Sequence, residues 1–474
     1  MQYHSTRGQS SGLGFDDVLL AGLAPDGGLY VPDEYPQFSA EKIKSFRGAS
    51  YAQVAHELIT PFVGASIEPD ALRAIIEKAY KTFRHGAVAP LVQLDQTHFV
   101  AELFHGQTLA FKDVAMQFLA GVMDHVLAER DQRATIVGAT SGDTGGAAID
   151  AFVGRERTDM FILFPDGRVS DVQRRQMTTS TDPNVHAMAI DGNFDDCQRM
   201  VKSMFIDHQF RTSMSLSGVN SINWARIVAQ IVYYFTAGAS LGAPDRAVSF
   251  CVPTGNFGDI LAGWVARKMG LPIERLIIAT NTNDILARCL ASGRYEASDV
   301  VATTSPSMDI QVSSNFERLL YEVSGRDAAR LNDQMTELKE RNLFTIDDTP
   351  LAHIRRTFLA GRASDQDVDE VMQKTLKQSG YLVDPHTAVG LSVAAGFVDE
   401  GTARASTPLV TLATAHPAKF PQAVEAATGV HPALPEHLSD LHQRPEQFEL
   451  LPNEQGAVQS YVAERARVAQ MAIA

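Results

Sequence analysis

The chain has 474 residues, of which 45% are hydrophobic and 20% are charged. At about 150 residues per domain, this length predicts two or three folded domains and excludes a disordered or fibrous protein. The formal net charge is −15, so we expect no nucleic-acid or membrane partner, since both favour basic surfaces. A pocket with a locally positive field can still bind an anionic small molecule.

Cysteine usage and the first residues predict a cytoplasmic location. The three cysteines lie far apart in the sequence: Cys197, Cys251 and Cys289. This spacing indicates neither a disulfide framework nor a metal site. The first residues lack the apolar run of a secretory signal. The most apolar window, residues 227–243, is interrupted by Gln230 and Ser240 and is shorter than a membrane span, so we interpret it as a buried helix.

The first 95 residues predict a separate amino-terminal unit. A turn-rich stretch at residues 25–28 precedes amphipathic helical patterns at residues 51–61 and 70–83. These patterns differ from the alternation that follows them. We therefore expect an amino-terminal domain at residues 1–95.

From residue 96, short β-rich apolar runs alternate with longer helical patterns, which predicts an α/β protein with a mostly parallel sheet. The predicted strands lie at residues 98–103, 134–137, 160–164, 185–190, 247–252, 276–279 and 408–413. The predicted helices lie at residues 111–129, 144–153, 194–205, 260–269 and 284–291, and residues 315–400 are mainly helical.

Two further domains and an extension complete the expected organisation. We expect a smaller α/β domain at residues 96–210 and a large α/β domain at residues 211–430. Residues 430–456 contain four prolines and many polar residues, so we interpret the carboxy-terminal extension, residues 431–474, as starting with an exposed tail.

Ligands of an open parallel sheet bind at the carboxyl ends of its strands, and four strand-to-helix junctions here carry unusual residues. The first junction, residues 105–113, places Lys112 in the first turn of an apolar helix. The positive end of the helix dipole lowers the pKa of such a lysine and favours nucleophilic chemistry. An ordinary surface lysine is the alternative.

The second junction, residues 139–146, combines three hydroxyl residues with three glycines: Thr140, Ser141, Gly142, Thr144, Gly145 and Gly146. Hydroxyls and free N–H groups at a helix start bind a carboxylate or a phosphate. Ordinary helix capping by Ser141, Asp143 or Thr144 is the alternative. Capping needs only one of these residues, so we favour ligand binding.

The third junction, residues 253–259, is not a Walker loop because no Gly-Lys-Ser/Thr follows it. Gly255 and Gly258 flank Asn256 and Phe257, so the backbone can curl its N–H groups around a phosphate. Asp259 would repel that phosphate, and we expect its side chain to turn away. A plain tight turn is the alternative.

The fourth junction, residues 220–226, precedes the helix that we interpret as buried. Arg226 follows the polar pair Asn220 and Ser221 and has the forked geometry that binds a phosphate oxyanion. An ion pair with an acidic neighbour is an equally good interpretation from spacing alone.

In their order and their residues, these segments resemble those of the threonine synthase family, which consists of fold type II pyridoxal-phosphate enzymes. The resemblance covers nearly the whole chain, and it is most specific in three segments. These are Leu109-Ala110-Phe111-Lys112-Asp113, Thr140-Ser141-Gly142-Asp143-Thr144-Gly145 and Gly255-Asn256-Phe257-Gly258-Asp259. Residues 26–32, 384–390 and 414–420 match as well. The resemblance implies the tryptophan synthase β-like fold, with parallel or mixed sheets flanked by helices.

The resemblance also implies the positions that hold pyridoxal 5'-phosphate. Lys112 would attach the cofactor, and Thr414 would meet its pyridine nitrogen. Asp143 takes the place where many relatives have an asparagine beside the 3-hydroxyl. The phosphate loop would consist of Gly255, Asn256, Phe257, Gly258 and Asp259. No metal is implied.

The substrate implied by the resemblance is O-phospho-L-homoserine. The implied reaction is γ-elimination of phosphate and β-addition of water to give L-threonine, the last step of threonine biosynthesis, in a monomer or homodimer. The substrate carboxylate would contact Thr140, Ser141 and Thr144. The substrate phosphate would contact Asn220, Ser221 and Arg226.

Two other functions stay open at this point. A related phospholyase would eliminate phosphate and release 2-oxobutyrate, and a non-catalytic protein would only bind the cofactor. Three histidines near the matched segments, His105, His386 and His416, are candidates either for proton transfer or for hydrogen bonds that fix loops.

Overall fold

The computed structural model describes residues 1–140, 142–399 and 406–471. The amino-terminal elements are short strands and helices, and α3 begins at a capping box in which the Ser50 and Gln53 side chains each bind the other residue's backbone N–H. The elements are β1 (Tyr3–Ser5), α1 (Phe15–Ala21), β2 (Tyr30–Pro32), α2 (Ala40–Lys44), α3 (Tyr51–Val63), α4 (Pro69–Lys81) and β3 (Leu91–Gln93).

Strands and helices alternate through the middle of the chain, as the apolar pattern predicts. The elements are β4 (His98–Glu102), α5 (Lys112–Glu129), β5 (Ala134–Ala139), α6 (Asp143–Phe152), β6 (Thr158–Pro165), α7 (Asp171–Thr178), β7 (Val185–Ile190), α8 (Phe194–Ile206), α9 (His208–Ser213), β8 (Leu216–Ser217) and α10 (Trp224–Ser240). Helix α10 occupies the window interpreted as a buried helix. Nearly all of its residues are buried, and no helix in the described part of the chain is both long and apolar enough to cross a membrane.

The last half of the chain continues the alternation and adds a run of helices. The elements are β9 (Val248–Pro253), α11 (Gly258–Lys268), β10 (Ile273–Thr280), α12 (Ile285–Ser292), β11 (Arg294–Glu296), α13 (Phe316–Val323), α14 (Ala328–Arg341), β12 (Leu343–Thr345), α15 (Asp348–Thr357), β13 (Phe358–Arg362), α16 (Asp365–Ser379), α17 (Pro385–Asp399), β14 (Leu409–Ala413), α18 (Pro421–Thr428), β15 (Glu449–Leu451), α19 (Gln455–Arg465) and α20 (Arg467–Met471).

Two large sheets organise the molecule. One has six strands in the order β13-β10-β9-β14-β4-β3, and the other has five in the order β15-β7-β6-β5-β8. Every neighbouring pair is parallel except β3 with β4. The predicted α/β class with parallel sheets is therefore confirmed. The six-stranded sheet contains β3 from the first predicted domain, β4 from the second and four strands from the third. Because the sheet spans all three, it does not mark the boundaries at residues 95 and 210, which stay predictions.

The carboxy-terminal residues pack against the five-stranded sheet. β15 pairs in parallel with β7, and the α19 side chains of Val458 and Val462 are fully buried in the apolar cluster on that sheet. Most side chains of residues 430–456 are exposed or half-buried, those of β15 included, which agrees with the expectation of an exposed tail, although the backbone of β15 pairs with the sheet. β15 was not predicted because it has only three residues. A strand this short shows no clear alternation of apolar and polar residues.

Replacing Arg467 with alanine is expected to lower the free energy of unfolding by about 3 kcal/mol. The Arg467 Nε lies 2.6 Å from Oδ1 of the buried Asp159, so the substitution leaves a buried carboxylate without its cation. Urea denaturation measures the loss. The matched double variant, Arg467→Ala with Asp159→Asn, should recover most of it. Equal losses in the single and double variants would contradict the assignment of the effect to the carboxylate.

Candidate active site

The predicted site residues follow strands whose carboxyl ends meet. β4 and β14 lie side by side, and Glu102 at the end of β4 pairs with Ala413 at the end of β14. Beyond these ends, the Phe111 backbone N–H donates to the Thr414 carbonyl at 2.8 Å. Lys112 at the start of α5 and Thr414 after β14 therefore lie at the same edge of the six-stranded sheet.

Lys112 has a mostly buried amine beside a carboxylate. Its Nζ lies 3.6 Å from Asp143 Oδ2 and 3.5 Å from the Ser307 hydroxyl oxygen. Burial lowers the pKa of Lys112, Asp143 opposes this, and the charges of Arg226 and Lys419 add to the lowering. Because the net shift is downward, the neutral, nucleophilic amine becomes more accessible. The structure excludes the alternative of a surface lysine.

Asp143, at the start of α6, joins the two sheets at the site. Its Oδ1 lies 3.0 Å from Lys419 Nζ and accepts from Gln173 Nε2 at 2.9 Å. Its Oδ2 accepts from the Ser307 hydroxyl at 3.0 Å. Burial raises the pKa of Asp143, but the ammonium groups of Lys419 and Lys112 outweigh burial and hold it well below its usual range. Asp143 is therefore an ionised acceptor, unlike the neutral asparagine expected in many relatives.

The hydroxyl-rich junction forms a tight turn before α6. Thr140 Oγ1 accepts from the backbone N–H groups of Gly142 and Gly145, each at 2.9 Å. Gly142 has a φ of 139°, a conformation that residues with a side chain rarely adopt. Thr144 is half-buried, and Ser141 lies outside the described residues. The hydroxyl of Thr140 thus shapes the turn, and its proton is still available to a ligand.

The junction after β9 is a tight loop that leads into the first turn of α11. Phe257 adopts a left-handed conformation with a φ of 63°, which turns the chain sharply before Gly258. A Cβ added to Gly255 would lie 2.9 Å from the Ser307 carbonyl oxygen, so only glycine fits there. The loop therefore presents the first N–H groups of α11 close to Ser307 and hence to Lys112, in the arrangement that binds phosphate.

Asp259 turns away from this loop, as its negative charge predicts. Its Oδ1 accepts hydrogen bonds from the hydroxyls of Tyr233 and Tyr234 on α10. Burial raises the pKa of Asp259 to about 6, although these two hydrogen bonds oppose the shift. Only the backbone of Asp259 is thereby directed to a ligand of the loop, while its carboxyl group ties α11 to α10.

The segment with Arg226 lies next to the same loop. Asn315 Nδ2 donates to the carbonyl oxygens of Ser221 and Asn256, each at 3.2 Å. Arg226 is buried, and its Nη1 donates to the Val219 carbonyl at 3.1 Å. Burial lowers the pKa of Arg226 to about 10, so the group stays charged at neutral pH. Asn220, by contrast, is exposed to solvent.

No carboxylate in the described ranges forms an ion pair with Arg226, and its Nε is buried without a partner among them. This favours a ligand over the alternative of an acidic neighbour, because a buried guanidinium without an anion is costly. An oxyanion at Nε would satisfy both the charge and the missing hydrogen bond.

The three candidate histidines all fix loops. His105 Nε2 lies 2.7 Å from Glu102 Oε2, and His386 Nδ1 lies 2.8 Å from Asp384 Oδ2. His416 Nδ1 accepts from the Ala418 N–H at 3.1 Å. These bonds support the loop-fixing interpretation over proton transfer to a ligand.

Stability should fall on acidification because of His416. Burial and the nearby charge of His105 lower the pKa of His416 from 6.5 to about 4. The unfolded chain therefore binds a proton that the folded chain rejects, and about 2 to 3 kcal/mol of stability is lost as pH falls through this range. Urea denaturation from pH 7 to pH 4 measures the slope. His416→Asn, which keeps an acceptor, should flatten it, whereas the exposed control His353→Asn should not. An unchanged slope in His416→Asn would contradict this.

Sequence reasoning missed three residues that complete the site: Gln173, Ser307 and Lys419. Ser307 lies in a single 3₁₀ turn, Pro306–Met308, within a loop that Asp309 stabilises by accepting hydrogen bonds from Asn281 and Thr303. This loop follows no strand directly, so the junction argument does not reach it. Lys419 lies within the matched segment at residues 414–420, and its position after β14 was the one available signal.

Comparisons with known proteins decide the family. The family model for the threonine synthase N terminus matches residues 2–80, and that for the threonine synthase C-terminal region matches residues 387–462. The model for pyridoxal-phosphate dependent enzymes matches residues 83–338. A threonine synthase from Pseudomonas aeruginosa is 51% identical, over 98% of both chains. The chain belongs to the threonine synthase family.

Solved structures agree with this membership. A PLP-bound threonine synthase from Brucella melitensis is 61% identical and superposes with a TM-score of 0.96, covering 98% of this chain and 100% of that one. A threonine synthase from yeast is 39% identical with a TM-score of 0.92, over 98% of both chains. Maize serine racemase, at 14% identity with a TM-score of 0.52 over 73% of this chain and 92% of that one, shows the shared fold alone.

The residues present fit pyridoxal phosphate, the cofactor of this family. An aldehyde cofactor needs an amine that readily loses its proton, and Lys112 has a lowered pKa. A phosphate group needs converging N–H donors, and the loop before α11 presents them where Gly255 leaves no room for a side chain. The enzyme is a pyridoxal-phosphate-dependent threonine synthase family member of fold type II.

Proposed function

We propose that the enzyme converts O-phospho-L-homoserine and water into L-threonine and inorganic phosphate, the last step of threonine biosynthesis. The observation that carries this proposal is the presence of Lys112, a buried amine of lowered pKa, and Arg226, a buried guanidinium, near each other. The first suits covalent chemistry with an aldehyde, and the second suits a phosphate that leaves the substrate.

We assign the cofactor to residues from both sheets. Lys112, Asp143, Thr414 and the loop at residues 255–259 would hold it, and bound pyridoxal phosphate supplies an electron-withdrawing ring that stabilises negative charge at the substrate carbons. Asp143, as an ionised acceptor, would face the 3-hydroxyl. Thr414 would offer the ring nitrogen a neutral hydroxyl instead of a carboxylate.

We assign the substrate to two groups of donors. The carboxylate would bind at the turn before α6 through Thr140, Ser141 and Thr144. The phosphate would bind at Asn220, Ser221 and Arg226, where the unpartnered Nε of Arg226 supports the assignment. Two anionic ends held apart in this way would orient the carbons of the substrate between them.

Lys112 would then move the protons of the reaction. With the substrate bound, the free Lys112 amine would take a proton from the substrate α-carbon. Loss of a proton from Cβ lets the bond from Cγ to oxygen break, with the electron pair leaving on phosphate. Cγ takes a proton, water adds its oxygen at Cβ and gives up one proton, and Cα takes a proton back, so that of the three protons released two return to carbon and one leaves on phosphate.

Product analysis tests this proposal. Purified protein with pyridoxal phosphate and O-phospho-L-homoserine should release threonine and phosphate in equal amounts. Proton NMR detects the threonine, and a phosphate assay measures the phosphate. Phosphate with 2-oxobutyrate would indicate the phospholyase instead. Borohydride trapping of the cofactor without any product would indicate the non-catalytic protein. The similarity over the full chain to proteins named threonine synthase supports synthesis.

We further propose a cytoplasmic enzyme that acts as a monomer or homodimer on small molecules. Three free, buried cysteines support a reducing compartment. The net charge of −15 supports the absence of nucleic-acid and membrane partners. Light scattering coupled to size exclusion measures the oligomeric state.

A further inference from the structure

Lys419 is a second lysine at the site, and its amine is held by three acceptors. Its side chain is fully buried. Its Nζ lies 2.7 Å from the Thr108 carbonyl oxygen, 3.0 Å from Gln176 Oε1 and 3.0 Å from Asp143 Oδ1. An ammonium group has three N–H donors, so each has one acceptor and none is left for a ligand.

The carboxylate of Asp143 is divided between two cations. Oδ1 faces the fixed Lys419, whereas Oδ2 faces Lys112 at 3.6 Å and the Ser307 hydroxyl. His386 also acts on the charge of Asp143, and Lys419 acts on the buried carboxyl of Asp113 as well. Lys112 changes its bonding and its charge in the proposed reaction, but Lys419 takes no part in bond making. Oδ1 therefore has a neighbour of constant charge, Lys419, and Oδ2 has a neighbour whose charge changes, Lys112.

We propose that Lys419 is a positioning residue that keeps Asp143 ionised and oriented while the charge on Lys112 changes. A buried carboxylate that lost its sole cation would take up a proton or turn away. With Lys419 in place, Asp143 stays an acceptor beside the cofactor at each stage. The proposal rests on the cofactor site proposed above for Lys112 and Asp143.

The first test measures the full chain without added cofactor, so it does not depend on that cofactor site. Lys419→Met should raise the unfolded fraction in urea by about tenfold or more, since the buried Asp143 loses the nearer of its two cations. The double variant with Asp143→Asn should recover most of this loss. The exposed lysine of α16 in Lys377→Met is the matched control and should unfold like the wild type. No recovery in the double variant would overturn the proposal.

The second test follows the absorbance of bound pyridoxal phosphate from pH 6 to pH 9. Lys419→Met should acquire a pH-dependent change that the wild type and Lys377→Met lack, because Asp143 now titrates. The double variant should lose that change, since asparagine has no proton to exchange. A merely structural role for Lys419 predicts the same profile in the single and double variants, and this result would overturn the proposal.

Two outcomes separate the possible failures. If Lys419→Met does not fold, a folded double variant supports the proposal, and an unfolded double variant overturns it. If Lys112→Ala still forms a borohydride-reducible bond with the cofactor, the proposed cofactor site is wrong. The comparison in urea of the variants at positions 143 and 419 still tests whether Lys419 stabilises the carboxylate of Asp143.

Discussion

Replacing Lys112 with alanine is expected to lower kcat by a factor of at least about 10⁴, because the variant loses both the covalent anchor and the proton-transfer group. The position of the amine supports this expectation. It is mostly buried, has a lowered pKa and lies within 4 Å of a carboxylate and a hydroxyl. Lys419, which also lies at this edge of the sheet, has its amine directed at Thr108, Gln176 and Asp143.

Two measurements check the effect of Lys112→Ala. Threonine formation measures kcat, and borohydride reduction followed by mass spectrometry of the peptides locates the attached cofactor. The wild type should carry the added mass on the peptide that contains Lys112, and the variant should carry none. Lys377→Ala, at an exposed position of α16, should behave like the wild type. Cofactor attachment elsewhere at wild-type turnover would contradict the expectation.

Replacing Arg226 with glutamine is expected to lower kcat/KM by about a hundredfold or more, as loss of one partner of a buried charge pair does at other binding sites. The guanidinium is buried, charged and has an unpartnered Nε among the described residues. Initial rates at several substrate concentrations give KM and kcat separately. The exposed Arg341→Gln on α14 is the control and should leave both unchanged.

The same variant tests what happens to the phosphate after it leaves. If the departed phosphate stays at Arg226, it can accept the proton of the water that adds at Cβ. Arg226→Gln should then release less threonine per phosphate, with 2-oxobutyrate making up the difference. A lower affinity for substrate with an unchanged ratio of threonine to phosphate would exclude this role for the phosphate.

Much of the fold was predictable because the apolar pattern alternates with the period of strands and helices. The strand ending at Ile190 and the one ending at Ala413 match their predicted bounds to within a residue. β13 was missed because its five residues, Phe358–Arg362, include a glycine and follow a helix directly. A run this short, without turn residues before it, has the same appearance as a continuing helix.

The site divides in the same way into predictable and unpredictable parts. Lys112 and the loop at residues 255–259 follow strands of one sheet, so the rule for parallel sheets brings them together, and it also places Asp143 at the carboxyl edge of the other sheet. Ser307 reaches Lys112 through a loop whose course depends on the hydrogen bonds that Asp309 accepts from Asn281 and Asn283, 28 and 26 residues earlier in the chain. Such bonds join residues far apart in the sequence, and no local pattern announces them. The ionised state of Asp143 likewise depends on Lys419, which only the folded chain brings near.

The position of β14 between β9 and β4 has a consequence for the newly made chain. Lys419 and Thr108 are 311 residues apart in the sequence, so at about 5 to 20 residues per second the ribosome makes them roughly 15 to 60 s apart. From its own synthesis until β14 is made, each of β4 and β9 has an open edge, and open edges attract other strands. The nascent protein should need a chaperone until β14, the last strand of this sheet to be made, inserts between β4 and β9. Binding of the cofactor should follow that insertion.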